Sequence, residues 1–230
     1  MNFLKELLNV ILPDICLICD QNLSINEETF CTFCRVDLPF TNFSSETNNI
    51  AERAFYGRIK LEAVTSLLYY RKKGKTQQLI HQLKYKNQQK IGNLTALMLA
   101  DEMKNSQRFN NLDGVIIVPM HPKKERKRGY NQVTVFGKTL ATALNIPYIE
   151  NVLVKTSSTT SQTIKSRLQR FQNIEEKFHL NNLTILENKH ILLVDDVITT
   201  GATLESCSLE LLKTKSLKIS VATIAYTDLS

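Results

Sequence analysis

The chain has 230 residues, 43% of them hydrophobic and 22% charged, with a net charge of +7 and 5 cysteines. That length buries a core large enough for one main α/β domain with an appendage. No run approaches the ~20 apolar residues of a membrane-spanning helix, which excludes a helical span of the bilayer. The positive charge is unevenly spread. Between Ala63 and Ala100 no acidic residue accompanies Arg71, Lys72, Lys73, Lys75, Lys84, Lys86 and Lys90. From Lys123 to Arg128 only Glu125 opposes Lys123, Lys124, Arg126, Lys127 and Arg128. Two such clusters suit a polyanion, either nucleic acid or a phosphorylated ligand; a solvated helix face is the bland alternative for the first.

Met1 to Leu12 is apolar at Phe3, Leu4, Leu7, Leu8, Val10, Ile11 and Leu12, but it carries Glu6 and no small-residue cleavage site. It reads as a short amphipathic helix ending before Pro13 rather than as a signal peptide. The chain is therefore expected in the cytoplasm. The helix is expected to pack on the body, with a peripheral contact at the inner face of the cytoplasmic membrane as the alternative.

Cys16-Leu-Ile-Cys19 and Cys31-Thr-Phe-Cys34 are two C-x-x-C knuckles separated by eleven residues. Two residues between thiolates let both sulfurs reach one tetrahedral ion, and two knuckles complete a four-cysteine zinc shell. Disulfides are disfavoured in a reducing cytosol, and the spacing does not specify an iron–sulfur cluster. A closed structural zinc site would hold together a segment too short to build its own core. Cys207, farther along, reads as a small buried residue. Pro39 to Asn49 is polar, rich in Asn, Ser and Thr, and reads as a linker. The expected organisation is an N-terminus and zinc ribbon over residues 1–40, a linker over 41–60 and the main domain over 61–230.

Ala63 to Tyr70 reads as a strand. Thr76 is the expected cap of a helix running to about Tyr85, with Leu79, Ile80 and Leu83 on one face. A second helix is expected from Ile91 to Met103. Gly114 to Pro119 is a buried strand, followed by a basic loop, Met120-His-Pro-Lys-Lys-Glu-Arg-Lys-Arg-Gly-Tyr-Asn-Gln132, and a helical stretch to Leu144. A basic loop at the carboxyl end of a parallel strand lies where open α/β sheets bind ligands. Arg126 and Arg128 offer planar, charge-assisted donors there, and Lys123, Asn131 and Gln132 are further candidates for contact with pyrophosphate or nucleic acid. His121 reads as a loop side chain. Ile146 to Val154 supplies strand material. The polar stretch from Lys155 to Phe178 reads as either a mobile flap or a disordered loop, with Gln162, Arg167, Arg170 and Asn173 as the polar groups expected to face a site if it is a flap.

Ile191-Leu-Leu-Val-Asp-Asp-Val-Ile-Thr-Thr-Gly-Ala-Thr203 organises the rest. Four apolar residues make a buried strand, and Asp195 and Asp196 stand where it is expected to end. The loop Thr199, Thr200, Gly201, Ala202 and Thr203 then feeds an amphipathic stretch from Leu204 to Lys213. Backbone amides at such a turn cradle phosphate, and Gly201 permits the sharp bend. Paired carboxylates add acceptors for sugar hydroxyls or ligands that reach Mg²⁺ through water. A helix cap alone would need one Asp or Thr, not the whole series. Leu217 to Tyr226 is expected to close the sheet.

The Asp-Asp-to-Thr203 stretch resembles the signature of type I phosphoribosyltransferases, which bind phosphoribosyl pyrophosphate (PRPP). The resemblance implies that the acidic pair engages ribose hydroxyls and that the loop holds the 5′-phosphate, with Mg²⁺ accompanying PRPP. Several further pieces occur in order: the cysteine knuckles, Leu83-Lys-Tyr85, Val118-Pro119 with Arg128-Gly-Tyr-Asn-Gln132, and Thr160-x-Gln162 with Arg167, Arg170, Asn173 and Phe178. Together they resemble the ComF family of competence proteins over almost the whole chain. That resemblance implies a zinc ribbon fused to a parallel-sheet, type I phosphoribosyltransferase-like domain. It also implies the handling of single-stranded DNA entering the cytoplasm during natural transformation. The competing readings are an active Mg²⁺-dependent phosphoribosyltransferase on an unidentified acceptor and a scaffold for a helicase-like partner. Tyr69, Tyr70, Tyr85 and Tyr130 lie among basic residues, where they either stack bases or pack into the core.

Overall fold

The computed structural model describes residues 14–156, 177–181 and 184–227, and elements are numbered within them. Met1 to Leu12, expected as an amphipathic helix, lies outside the described residues, as do Gln162, Arg167, Arg170 and Asn173.

Four strands form a parallel sheet in the order β1 (Val64–Tyr70), β6 (Lys218–Thr227), β5 (His190–Ile198), β2 (Gly114–Ile117). Along β5, Ile191 and Leu193 enter one core while Leu192 and Val194 enter the other. A strand covered on both faces has no polar side to present, so it reads as a continuous apolar run. Helices α3 (Lys75–Tyr85), α4 (Lys90–Lys104) and α6 (Val133–Leu144) cover the first face, burying Leu79, Leu83, Ile91, Leu99, Phe136 and Leu140. Helices α2 (Ile50–Arg53) and α7 (Ala202–Leu211) cover the second face with Ala51, Leu204, Cys207 and Leu211. Each buried Leu, Ile or Phe contributes about 1.5–3 kcal/mol relative to exposure. Cys207 is a fully buried core residue, as expected.

Several expectations change. β5 does not end at the aspartates; it continues through them to Ile198, because its backbone remains paired with β6 as far as Ile198↔Tyr226. Nor does the last strand close the sheet at an edge. β6 lies between β1 and β5, and eight of its ten residues are buried. The basic loop after β2 is a short helix, α5 (Pro122–Arg128). Pro122 occupies its first turn, the His121 Nδ1 accepts the Lys123 N–H at 3.1 Å, and Gly129 ends it in the left-handed region. Those three residues are the usual punctuation of a helix. Gly74, not Thr76, caps α3; Thr76 is buried in its first turn. After α6, Tyr148 makes an isolated parallel bridge with Val115 of β2, and the next strand, β3 (Leu153–Thr156), pairs antiparallel with β4 (Lys177–Leu180) outside the main sheet.

Residues 41–60 pack onto the main domain. Phe43 and Phe55 are buried, and Asn49 is tied in from both ends of its amide. Its Oδ1 accepts the Glu52 N–H at 3.0 Å, and its Nδ2 donates to the carbonyls of Val64 at 2.9 Å and Glu46 at 3.1 Å. An Asn/Ser/Thr-rich stretch looks like linker because these side chains favour turns; here they satisfy buried backbone instead.

The chain leaves β2 towards the α6 face and leaves β5 towards the α7 face, and β2 and β5 are neighbours. Connections that diverge from adjacent strands leave a crevice at their carboxyl ends.

Candidate functional site

A cavity of about 270 Å³ occupies that crevice. Asp195, Asp196 and Thr203 line it from β5 and the following loop; His121, Lys124, Arg128, Asn131 and Gln132 line it from the β2–α6 connection; Lys84 and Tyr85 come from α3, and Lys155 from β3. Asp196 is only 5% exposed. Its Oδ2 receives the Lys84 ammonium at 2.9 Å and the Gln132 Nε2 at 2.5 Å, while the Gln132 Oε1 accepts from the Arg128 guanidinium. A buried carboxylate without such partners would be costly, so the contact draws α3, the start of α6 and β5 together.

Asp195 is half-buried, and its Oδ1 accepts the Asp196 N–H at 2.8 Å. Burial first, and the adjacent Asp196 charge second, push its carboxyl up to about 8; that N–H and the charges of Lys84 and Lys155 oppose the rise only in part. Asn131 braces the loop: its Nδ2 donates to the Val118 carbonyl at 3.2 Å and its Oδ1 accepts the Val133 N–H at 3.1 Å.

Beyond β5, Thr199 and Thr200 are exposed and Gly201 is buried in the left-handed region at φ +74°. A Cβ there would stand 2.8 and 2.9 Å from two Phe55 ring carbons. Gly201 is also the N-cap of α7 and brings no side chain to the first-turn amides. Those amides and the helix dipole favour an anion.

The second constellation is the N-terminal cysteines. The Sγ atoms of Cys16, Cys19, Cys31 and Cys34 all lie within 4.8 Å of one another, with Cys19 and Cys31 at 3.7 Å. Tetrahedral bonds of ~2.3 Å put sulfurs about 3.8 Å apart, so the set fits a metal such as zinc. Burial alone would raise the Cys16 thiol, but backbone N–H groups, that of Cys31 foremost, outweigh it and bring the thiol down to about 7. Burial pushes Cys34 well above the usual range, and a bound cation would overcome that by favouring the thiolate.

Residues 133–228 match the family model for the phosphoribosyl transferase domain. Competence protein F of Haemophilus influenzae is 32% identical over 137 residues, which is 56% of this chain and 58% of that protein. The DNA utilization protein YhgH of Escherichia coli O157:H7 is 28% identical over 146 residues, 62% of this chain and 63% of its own length. Competence protein ComFC of Streptococcus pneumoniae is 29% identical over 109 residues, 47% of this chain and 44% of its own length. These relatives and the domain match support a ComF-family protein with a phosphoribosyltransferase-like domain. Its parallel sheet is of the type I phosphoribosyltransferase kind, with the cysteine cluster attached at the N-terminal side. The matches span less than two thirds of each relative's own length.

In this chain the cavity brings together Asp195, Asp196 and Thr203 with Arg128, Asn131 and Gln132. Thr199, Thr200, Gly201 and Ala202 form the adjoining loop and helix start, while Lys123 and Arg126 are exposed on α5 and do not line the cavity. Sequence reasoning assigned no site role to Lys84, Lys124 or Lys155; Leu83-Lys-Tyr85 was the available signal for Lys84. Of the tyrosines, Tyr69 packs edge-on against Phe43, and the Tyr130 hydroxyl donates to the Leu83 carbonyl. Tyr85 is 66% exposed at the cavity, with the Arg128 guanidinium 5.4 Å from its ring centre.

Two outcomes follow for this site. Chelation, or Cys31→Ser, is expected to abolish amide-exchange protection over residues 14–38 while the sheet stays protected; unchanged protection would mean that the thiols hold no metal. Asp195 keeps its proton to about pH 8 in the folded chain against an ordinary value of 3.8. The folded state then binds the extra proton, so stability falls as pH rises through that window. The melting temperature of Asp195→Asn relative to wild type should climb from about pH 4 to pH 8 and then level off. A difference that stays flat would return the carboxyl to its ordinary range.

Proposed function

We propose that this chain handles single-stranded DNA entering the cytoplasm in natural transformation, and that its cavity binds a ribose phosphate ester, PRPP above all. The likeness to competence proteins and to a DNA utilization protein supports the first half. The second rests on one observation: Asp195, Asp196 and Thr203 share a crevice with Lys84, Lys124, Arg128 and Lys155. The Asp196 carboxylate and the Asp195 carboxyl oxygen accept hydrogen bonds from vicinal hydroxyls, amides at the α7 start take the 5′-phosphate, and the cations neutralise the pyrophosphate. Mg²⁺ bound with the ligand would supply further charge neutralisation. Asp196 meets the sugar by sharing its carboxylate between the hydroxyls and Lys84. Turnover would require pyrophosphate to leave C1′ with its bonding pair as an acceptor attacks; positioning and electrostatics are what these residues would contribute.

The cysteine cluster is proposed to hold one structural zinc ion. The chain is proposed to work in the cytoplasm, with any membrane contact peripheral; among the described residues no helix is long and apolar enough to cross a membrane. Phe33 and Val36, 84% and 78% exposed beside the cysteines, favour a further role of that module in docking a helicase-like partner.

Calorimetry with Mg²⁺ and PRPP is expected to give a saturable isotherm that Asp195→Ala/Asp196→Ala abolishes; undiminished affinity in the double variant would remove the pair from the site. Pyrophosphate release with candidate acceptors then separates enzyme from binder. A fluorescent single-stranded oligonucleotide is expected to bind with affinity that falls steeply with salt, since cations on the chain displace counterions. No binding at low salt would refute direct DNA handling by the isolated chain.

A further inference from the structure

We propose that Arg58 is a positioning residue for the β5–α7 loop, aiming its amides at the anion from outside the cavity. The inference rests on the reading of that loop as the phosphate-holding element. Arg58 does not line the 270 Å³ cavity; it borders a separate one of about 670 Å³ behind the loop. Its Nη1 donates to the Thr200 carbonyl at 2.9 Å and to the Ala54 carbonyl at 3.0 Å, and its Nη2 pairs with Glu205 in the first turn of α7.

These contacts have two consequences for a ligand. In a trans peptide the C=O and the following N–H point in opposite directions in one plane. Drawing the Thr200 carbonyl towards Arg58 therefore turns the Gly201 N–H away from Arg58. The same guanidinium also neutralises Glu205, whose charge at the start of α7 would otherwise oppose an anion. Phe55 completes the support, because its ring lies where a Gly201 side chain would be. The loop is thus held from behind by residues 55 and 58. A planar fork suits this arrangement, since one side chain must satisfy two carbonyls and a carboxylate at once. The Arg58 side chain is 35% exposed, so its removal leaves solvent rather than a dry void.

The test compares two ligands on the full chain. Ribose 5-phosphate needs the loop, whereas Mg²⁺-pyrophosphate needs the cations of α3 and α5. Arg58→Ala is expected to weaken ribose 5-phosphate about tenfold, as loss of preorganised charge-assisted contacts would, with pyrophosphate affinity within about twofold of wild type. Arg58→Lys, with charge but no fork, should recover part of the loss. In ligand-free protein, Arg58→Ala should speed amide exchange at Gly201 to Leu204 and leave the sheet unchanged. Equal weakening of both ligands, or of neither, overturns the proposal and leaves Arg58 a staple of the fold. If wild type binds neither ligand, the ribose-phosphate reading falls by itself. The exchange measurement then decides about Arg58: faster loop exchange supports positioning, and unchanged exchange overturns it.

Discussion

Asp196 is the contact on which the site depends. A carboxylate this buried is tolerable only when opposite charge and hydrogen-bond donors reach it. Lys84 and Gln132 do so from two different helices. The ion pair is consequently also a geometric constraint: α3, the start of α6 and the centre of the sheet cannot separate without stranding a charge. Arg128 extends the chain of contacts through the Gln132 carbonyl oxygen to the exposed ring of Tyr85. The polar wall of the cavity is therefore held together by the chain's own contacts.

The position of this constraint follows from topology. The connections after β2 and β5 leave on opposite faces of the sheet, so among the described residues a crevice is left beyond their carboxyl ends. Into that space β5 delivers two carboxylates and a glycine-bearing turn, and the β2–α6 connection delivers arginine and lysine. Negative and positive groups thus face one another across a gap the size of a small polar ligand. The cavity offers two chemistries at once: hydrogen-bond acceptors from β5, and cationic donors from the β2–α6 connection.

Support for the site comes from segments with no local sign of function. Residues 41–60 are polar and turn-rich, yet Phe43, Asn49, Phe55 and Arg58 fasten them to the sheet and the loop. In the cysteine module the thiols instead converge from two short turns in a geometry that could hold a metal ion, and part of its apolar surface, Phe33 and Val36, stays outside the core.

Local patterns were enough to locate the cysteine knuckles, the apolar run of β5, the adjacent aspartates, and the small-residue loop. Each is a contiguous signal, set by ligand spacing, by burial on both faces or by turn chemistry. The helix α5 was also written locally, in His121, Pro122 and Gly129, although its charge made it look like a loop. Tertiary structure alone decided the rest: that β6 lies inside the sheet, that Lys84 and Gln132 meet Asp196, and that Arg58 reaches a carbonyl 142 residues away. The reason is physical. Hydrophobic periodicity specifies which face of an element is buried but not which neighbour buries it, and a charge finds its partner only after the strands have taken their order.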